Sequence, residues 1–594
     1  MVAYAGAVMT VLGLTVLGTQ LVRPDNGGPV VAFAAGMGLI TVLFTVFGTL
    51  VYVDFRLLSG LVGGLVVLAG YVSFRRGRLR PQLYLLLIAV ITVSVLAIIV
   101  SGRTASEWDE FSHWLHAVRY LFENNRFPGS PEAAPIFSCC AAYPYGWPLL
   151  TYFPSMVFGF AESIPAVLNV LILGLFGCLL AQLAQPQERH PSIALVAVGV
   201  LGSTLLAPTF VSKLVFSTYA DSITGVLVAV AAFLAYRINQ ALEENDTTAS
   251  QLFLALALVG AALISTKPGN LVLLACVLGS GGVLLLRNGS WRNLRWHALS
   301  AVFIPAIVYV LWRMFVGEYL SGQEMAIQGV EDWHVSLVPD ILWAMLVVAA
   351  HKSGYFLIMA VISVLAIRGL IKMRTRIDRL SVIVGLLFLG YNAFLLFTYV
   401  AVFGEYDALR VASFWRYNTH LGLSGSLVLF MVMGHLWERF IAHRRWSANR
   451  ILLLLPCALL VIAPFAFLKS VRFDIDPMKT FIRETTRELP SHLPADASVG
   501  LYDPEGTGVS AVMGLYEWQG KLQFIGKISA FSGDKNLESF ISSSRPDYVL
   551  VLSGQRNVSH LPDQPSAMLL SREKNWAVIA AFPYPGGDFP DRYP

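Results

Sequence analysis

Long runs of apolar residues, separated by short polar connections, dominate roughly the first 470 residues of the chain. A helix needs roughly twenty apolar residues to cross the hydrocarbon core of a bilayer, and helices satisfy their own backbone groups there. The pattern predicts a polytopic α-helical membrane protein with about fourteen transmembrane helices. The predicted spans lie at about 3–22, 29–53, 57–74, 82–101, 164–182, 191–208, 219–237, 251–266, 270–286, 297–315, 353–371, 381–403, 419–440 and 450–468.

The pattern changes after residue 469, where the chain becomes far more polar. A helix is predicted at 477–489, and alternation of helix-like and strand-like segments is typical of a small α/β domain. The strand-like runs are Ser498–Tyr502, Asp547–Leu552 and Trp576–Ala580. The prediction is therefore a transmembrane domain at 1–469 and an α/β domain at 470–594, within the ordinary size of a domain.

Composition agrees with a membrane location. Charged residues make up 13% of the chain and apolar residues 56%, with a mean hydropathy of +0.65. Soluble domains carry about 25% charged residues. The net charge of +5 does not indicate nucleic-acid binding, because Lys and Arg occur in short clusters between the spans.

These basic clusters predict the orientation of the spans. Residues 75–80 contain four arginines, which the positive-inside rule places in the cytoplasm. Counting spans from there puts the basic loops 287–295 and 368–379 on the same side. The loops 102–163, 208–219, 316–338 and 404–418 and the C-terminal domain are then predicted to be extracytoplasmic. Within the later spans, His351 and Lys352 interrupt an apolar stretch, either for function or at a kink between two half-helices.

An acidic and aromatic motif, residues 106–114, directly follows the fourth predicted span. It contains Asp109 and Glu110, and the residues from 109 to 125 have a helical pattern. Spacings of three and four residues put Asp109, His113 and His116 on one helix face. A general base needs a carboxylate within reach of the hydroxyl that it activates, so Asp109 and Glu110 are the candidate catalytic residues. An acid at a helix start is also a favourable cap, which is the structural alternative for Asp109.

The same predicted outer loop holds aromatic and cysteine residues. Aromatic rings near carboxylates suit sugars, whose C–H faces stack on rings, but they also serve as interfacial belt residues. The candidate rings are Tyr143, Tyr145 and Trp147. Cys139 and Cys140 are adjacent, which permits a strained vicinal disulfide without requiring one.

Four basic residues near the predicted outer face are candidates for binding a phosphate: Lys213, Lys267, Arg410 and Arg416. Cations belong where the charge of a leaving phosphate builds up, and the planar fork of arginine suits a phosphate better than the point charge of lysine. Each has an alternative role. Lys267 could extend to the headgroups, and the two arginines could pair with Glu405 or Asp407 and brace their loop.

The acid pair at the start of the first large outer loop, the helix behind it and the Tyr-Pro-Tyr-Gly-Trp-Pro run at 143–148 resemble the GT-C fold of polyprenyl-phosphate-dependent glycosyltransferases. This superfamily includes protein mannosyltransferases, aminoarabinose transferases and arabinofuranosyltransferases. The resemblance covers the whole architecture, with the departure that several spans precede the acidic loop here. It implies an inverting transfer in which the loop acid deprotonates the acceptor hydroxyl and basic residues hold the departing lipid phosphate.

The resemblance also implies roles for particular residues. The Arg416–Tyr417 pair is similar to pairs that relatives place near the donor phosphate, so Arg416 is the first choice there. Asp221, preceded by Tyr219, matches the second acid of the superfamily. Asp109, Asp221, His113 and His116 could hold a divalent metal, as in some relatives, although no metal or other cofactor is firmly predicted.

The sequence thus predicts a glycosyltransferase of a bacterial inner membrane, acting on the extracytoplasmic face. Its partners are a polyprenyl-phosphate sugar donor, a glycan, lipid or protein acceptor and the bilayer, with no nucleic acid. One alternative is an oligosaccharide polymerase or ligase using undecaprenyl-linked sugars. A lipid-sugar flippase or transporter is less favoured, since no internal repeat is visible. No nucleotide-binding motif occurs, which favours a lipid-linked donor over a nucleotide sugar.

Overall fold

The computed structural model describes residues 1–23, 27–185, 191–320, 326–440, 450–553 and 566–584. The chain divides into two compact units, here called the helical unit and the α/β unit. The helical unit comprises Met1–Gly102, Tyr120–Ala134 and Ala142–Val471. The α/β unit comprises Arg103–Arg119, Pro135–Ala141 and Arg472–Pro594. The acidic motif, which was expected in the transmembrane domain, therefore folds as part of the α/β unit.

The helical unit consists of α-helices and short 3-10 turns. Its helices are α1 (Val2–Gly18), α2 (Gly28–Leu50), α3 (Phe55–Arg75), α4 (Leu79–Ser101), α5 (Leu115–Asn124, which begins in the α/β unit), α6 (Gly146–Phe158), α7 (Ile164–Leu183), α8 (Ile193–Ser203), α9 (Ser212–Val215), α10 (Asp221–Glu243), α11 (Ala249–Ile264), α12 (Asn270–Asn288), α13 (Ser300–Tyr319), α14 (Val338–His351), α15 (Ser353–Ile371), α16 (Arg376–Ala401), α17 (Glu405–Leu409), α18 (Phe414–Phe440), α19 (Arg450–Ala466) and α20 (Leu468–Val471). The 3-10 turns are Ser290–Asn293, Trp296–Leu299, Val330–Asp332 and Val335–Leu337.

Every predicted span corresponds to a helix. Among the described residues, 11 helical stretches are long and apolar enough to cross a membrane. Four shorter apolar helices accompany them, at Val2–Gly18, Ile193–Ser203, Ala249–Ile264 and Leu454–Ala466. The protein is therefore a multi-pass membrane protein, as the apolar pattern predicted.

Two of the longer helices of this unit were not predicted, besides the short helices α9 and α17. Helix α6 follows the aromatic run of the first large loop, and α14 precedes the interruption at His351 and Lys352. Helix α14 has 14 residues and is only about 21 Å long, and it reaches the length of a span together with the preceding turns, as the stretch Val330–His351. Helix α14 ends at His351 and α15 begins at Ser353, which agrees with a break between two helical segments.

Glycines let several helices of this unit approach closely. A Cβ atom on Gly36 would overlap the carbonyl oxygen of Leu14, and one on Gly38 would overlap that of Leu258. Gly38 thus joins α2 to α11 at backbone contact. Small residues at helix interfaces permit this packing in membranes, where lipid tails are as apolar as the side chains. By contrast, Gly63 on α3 faces open space.

The α/β unit is built on a five-stranded sheet of order β2-β1-β3-β4-β5. Strands β1, β2 and β3 are parallel, whereas β4 and β5 add two antiparallel strands. The strands are β1 (Ser498–Tyr502), β2 (Gln523–Ile528), β3 (Tyr548–Val551), β4 (Ser566–Ser571) and β5 (Ala577–Pro583). The helices are α21 (Pro477–Glu488), α22 (Val509–Trp518) and α23 (Leu537–Ser544), with 3-10 turns at Phe473–Ile475 and Leu489–His492 and a π-helix at Glu110–Trp114.

The predicted α/β character and the helix at 477–489 are confirmed. The three predicted strands correspond to β1, β3 and β5. Strands β2 and β4 were missed, and β2 alternates between exposed and partly buried side chains because it forms one edge of the sheet. A hydrophobic core that includes Phe540, Val549 and Leu570 packs against the sheet.

The close approach at Gly38 yields a stability prediction. Gly38→Ala should lower the melting temperature of the detergent-solubilised protein, because the added methyl group must push α2 away from α11, and overpacking typically costs about 1–3 kcal/mol. Gly63→Ala is the matched control in a helix with open space, where alanine should be neutral or slightly stabilising. Equal melting temperatures for the two variants would contradict this packing.

Candidate functional site

A buried carboxylate in the helical unit collects three basic side chains. Asp221 is 3% exposed and accepts hydrogen bonds from Lys267 Nζ at 2.9 Å and from His420 Nε2 at 3.0 Å. Arg416 adds a two-pronged contact, with Nε 3.1 Å from one carboxylate oxygen and Nη2 3.0 Å from the other. We call these four residues the Asp221 cluster.

The cluster forms where helix ends meet. Asp221 is the first residue of α10, a position that favours negative charge because the helix dipole is positive there. Lys267 lies in the turn between α11 and α12, and Asn270 holds that turn against α10 by donating to Thr224 at 3.2 Å. Arg416 and His420 are one turn apart on α18 and so share a helix face.

Charge balance distinguishes this cluster from an ordinary ion pair. One carboxylate is in contact with an arginine, a lysine and a histidine, so basic side chains outnumber the acidic one in this cluster. Arg416 also lies over the ring of Tyr219, with its guanidinium carbon 4.6 Å from the ring centroid. The side chains of Arg416 and Lys267 remain 27% and 15% exposed, respectively. An anion can therefore reach both cations.

Sequence reasoning named Asp221, Tyr219, Lys267 and Arg416 separately, and the structure brings them together. His420 was missed because it lies in a predicted span. Its spacing of four residues from Arg416 was the signal that could have revealed it.

The other two candidate cations lie elsewhere. Arg410 pairs with Asp407 at 2.7 Å and stacks on Tyr406, with both charged side chains about half exposed. This is the alternative role in which an arginine braces its own loop. Lys213 is exposed on the short helix α9. Neither residue contributes to the contacts of Asp221 described above.

The aromatic candidates of the first large loop mostly belong to the packed interior. Trp147 is fully buried, and its indole nitrogen donates to the carbonyl oxygen of Thr218 at 2.7 Å. Tyr145 is 4% exposed and packs against the rings of Phe127 and Trp312. A sugar could not stack on these two rings without opening the core. Tyr143 keeps partial exposure.

In the α/β unit, the acidic motif is organised by a buried ion pair. Both carboxylate oxygens of Glu110 lie 2.7 Å from the guanidinium of Arg103, and both side chains are 0% exposed. Glu110 also accepts the backbone N–H groups of Ser106 and Glu107. Burial is the largest single influence and lowers the pKa of Arg103, but the charge and hydrogen bonds of Glu110, together with the charges of Asp474 and Glu107, outweigh it and hold that pKa above its usual value. Glu110 is thus held in a buried ion pair, and its predicted catalytic role stays a prediction that these contacts disfavour.

The helix predicted from residue 109 is present, but it begins with a π-turn. Residues Glu110–Trp114 form the π-helix, and the N–H of Leu115 bonds to the carbonyl of Glu110 five residues earlier. This wider turn changes the spacing on which the predicted shared face of Asp109, His113 and His116 depended. Asp109 is partly exposed and precedes the π-turn.

The two histidines have different surroundings. His113 Nδ1 lies 2.8 Å from Ser112 Oγ, whereas His116 packs against the ring of Tyr516. Burial, with smaller contributions from the charges of Arg119 and His113, lowers the pKa of His116 to about 4. At neutral pH, His116 is therefore an uncharged packing residue of the α/β unit.

Glycine permits close packing of Trp108 in the same motif. Gly508 has a φ of +86°, and a Cβ atom there would lie 3.1 Å from the Trp108 ring. Lys527 Nζ lies 5.0 Å from the centroid of that ring, and burial lowers the pKa of Lys527. Glu107 is held by Lys479 at 2.6 Å. Contacts on either side of Asp109 thus fix the motif to the α/β unit.

Two of the four residues predicted as possible ligands of a divalent metal, Asp221 and His116, do not fit that role. Asp221 already accepts hydrogen bonds from two cations and a histidine, so its oxygens are poor ligands for another cation. His116 is buried against Tyr516.

No family model and no curated protein matches the chain. Among solved structures, the chain is similar to the archaeal oligosaccharyltransferase AglB from Archaeoglobus fulgidus, in complex with an inhibitory peptide and a dolichol-phosphate. The identity is 12%, the TM-score is 0.39, and the alignment covers 79% of this chain and 69% of AglB. At this level of similarity the comparison assigns neither a family nor an activity.

The buried pair in the acidic motif yields a second stability prediction. Glu110→Gln should destabilise the α/β unit by about 3 kcal/mol or more, because it leaves Arg103 buried without its counter-charge. Glu488→Gln is the matched control in the same unit, since Glu488 is 60% exposed and its contact with His492 should contribute at most about 1 kcal/mol. The rate at which protease cleaves this unit in the full-length protein measures the difference. Equal rates in the two variants would contradict a structural role for Glu110.

Proposed function

We propose that this protein is a membrane-embedded glycosyltransferase that moves a sugar from a polyprenyl-phosphate donor to a hydroxyl group of a glycan, lipid or protein. The Asp221 cluster is the observation that carries the proposal. Charged residues inside membrane proteins are costly and generally functional, and basic side chains outnumber the acidic one in this group. A phosphate that leaves during transfer would pair with the basic side chains.

Arg416 and Lys267 are the proposed ligands of the donor phosphate. Asp221 contacts both cations and so fixes their positions. Preorganised cations stabilise the charge that develops on a departing phosphate without reorganising during the reaction. The ring of Tyr219 lies against the guanidinium of Arg416. A guanidinium can bind a phosphate through two parallel hydrogen bonds. Arg410 and Lys213 are not part of this proposal.

Asp109 is the proposed general base, as the resemblance to GT-C enzymes implies. The neighbouring Glu110 is committed to Arg103, which leaves Asp109 as the partly exposed acid of the pair. Its carboxylate would take the proton of the acceptor hydroxyl. The hydroxyl oxygen would then attack the anomeric carbon, and the bond between that carbon and the phosphate oxygen would break. The sugar is transferred with inversion, and polyprenyl phosphate departs with the electron pair.

The proposed location of this reaction is the extracytoplasmic face of a bacterial inner membrane. It follows from the arginine cluster at 75–80 and the alternation of spans. The sequence contains no nucleotide-binding motif, which accords with a lipid-linked donor.

Asp109→Asn should abolish transfer with little change in expression or membrane insertion, because the amide cannot accept the proton. The measurement is complementation of a deletion strain, with its glycans and accumulating lipid-linked sugars read by mass spectrometry. Glu132→Gln, an exposed acid in the chain segment that follows α5, is the control and should restore the wild-type glycans.

Wild-type transfer by Asp109→Asn would remove Asp109 as the base. If Arg416→Gln abolished transfer while Asp109→Asn did not, the two results together would favour the alternative of an oligosaccharide polymerase or ligase. Such an enzyme also relies on arginines but usually lacks the early acid pair.

Arg416→Gln should weaken binding of undecaprenyl phosphate to the purified protein by about tenfold or more, since a hydrogen bond to a charged group contributes about 1.5–3 kcal/mol. Arg416→Lys should have an intermediate effect because it keeps the charge but loses the fork. Arg295→Gln, an exposed residue between α12 and α13, should bind like the wild type. Unchanged affinity in a folded Arg416→Gln protein would exclude Arg416 from the phosphate site.

A further inference from the structure

Three potential metal ligands converge in the α/β unit, apart from the residues proposed for transfer. One side-chain atom each from His113, Cys139 and Cys140 lies within 4.8 Å of the others. A search of the described residues for three or more histidine, cysteine or acidic side chains close enough to share a metal ion finds this group. The two cysteines are free thiols, with their sulfur atoms 2.8 Å apart.

Local hydrogen bonds bring the three residues together. The backbone N–H of Cys139 donates to the carbonyl of Ser112 at 3.1 Å, which attaches the cysteine segment to the π-helix. Ser112 Oγ lies 2.8 Å from Nδ1 of His113 and orients its ring, and Ser138 Oγ accepts the N–H of Cys140 at 3.2 Å. Hydrogen bonds of this kind orient ligands in established metal sites, and π-turns are frequent at functional sites.

We propose that Cys139, Cys140 and His113 form a binding site for a thiophilic divalent cation, with zinc as the ion of choice. Two thiolates and an imidazole are ligands that zinc prefers, and three protein ligands leave one tetrahedral position open. Magnesium and calcium prefer oxygen ligands and are disfavoured by the sulfur atoms.

The geometry needs only a small adjustment to hold zinc. With Zn–S bonds of about 2.3 Å, the two sulfur atoms of a tetrahedral site lie about 3.7 Å apart, so the cysteine side chains must rotate slightly away from each other. Cys139 is exposed and Cys140 partly exposed, while His113 is buried. An ion can therefore enter from the cysteine side and find the histidine already in place.

A bound cation would stabilise the segment that carries the acidic motif. It would link residues 139 and 140 to the π-helix that begins directly after Asp109. Binding of a ligand to the folded form alone raises stability by mass action, so zinc should protect this unit against unfolding. This effect needs no glycosyl transfer and stays testable if Asp109 proves not to be the base.

The experiment uses the full-length protein, purified in detergent under reducing conditions and freed of metal by a chelator. Zinc is titrated in, and bound metal is counted by mass spectrometry of the eluted ion. Cobalt, used as a spectroscopic substitute, should give thiolate-to-metal charge-transfer absorption. We expect one zinc ion per chain and a higher melting temperature with zinc. The variants Cys139→Ser, Cys140→Ser and His113→Asn should lose the bound zinc, the rise in melting temperature and the cobalt absorption. Cys276→Ala, which changes a cysteine in the membrane helix α12, should bind zinc like the wild type.

Two results would overturn the proposal. One is a folded wild-type protein that binds no zinc, or binds it equally well in the double variant Cys139→Ser and Cys140→Ser. The other concerns protein alkylated in intact membranes without reductant. If Cys139 and Cys140 became reactive only after reduction, they would form a vicinal disulfide instead of a metal site.

Discussion

The charged site of the helical unit depends on one constraint, the burial of the Asp221 carboxylate. A carboxylate removed from water is costly unless charges and hydrogen bonds compensate it. Here the compensation comes from the α11–α12 turn through Lys267 and from α18 through Arg416 and His420. The same contacts that make burial of Asp221 tolerable also hold two cations at fixed positions. The same side chains thus stabilise the buried carboxylate and are proposed to bind phosphate.

The acidic motif follows the same rule with the opposite outcome. Glu110 and Arg103 neutralise each other completely and are sealed from solvent, so this pair contributes architecture and no surplus charge. Two adjacent acids that look equivalent in the sequence are therefore different in kind. Glu110 shapes the turn, and Asp109 keeps access to solvent.

Several parts of the site were accessible from sequence because each depends on local chemistry. A basic residue in a short turn between two apolar spans, as at Lys267, is conspicuous since an isolated charge there needs a reason. The rings of Tyr145 and Trp147 show the limit of such reasoning. An aromatic residue in a Pro-rich and Gly-rich loop resembles a sugar platform, yet burial in the helical core is decided by residues far away, such as Trp312 and Thr218.

The sequence by itself determined the membrane class, the helices and the polar α/β unit, because apolar length and periodicity are local properties of the chain. Only the tertiary structure decided that Asp221 binds Arg416, which is 195 residues away in the sequence, and that Glu110 forms a buried ion pair with Arg103. It also decided that the cysteines lie beside His113 through a bond from Cys139 to the π-helix. Such contacts depend on which buried charges and polar groups find partners when the chain packs. That choice is made by three-dimensional packing and has no local signature in the sequence.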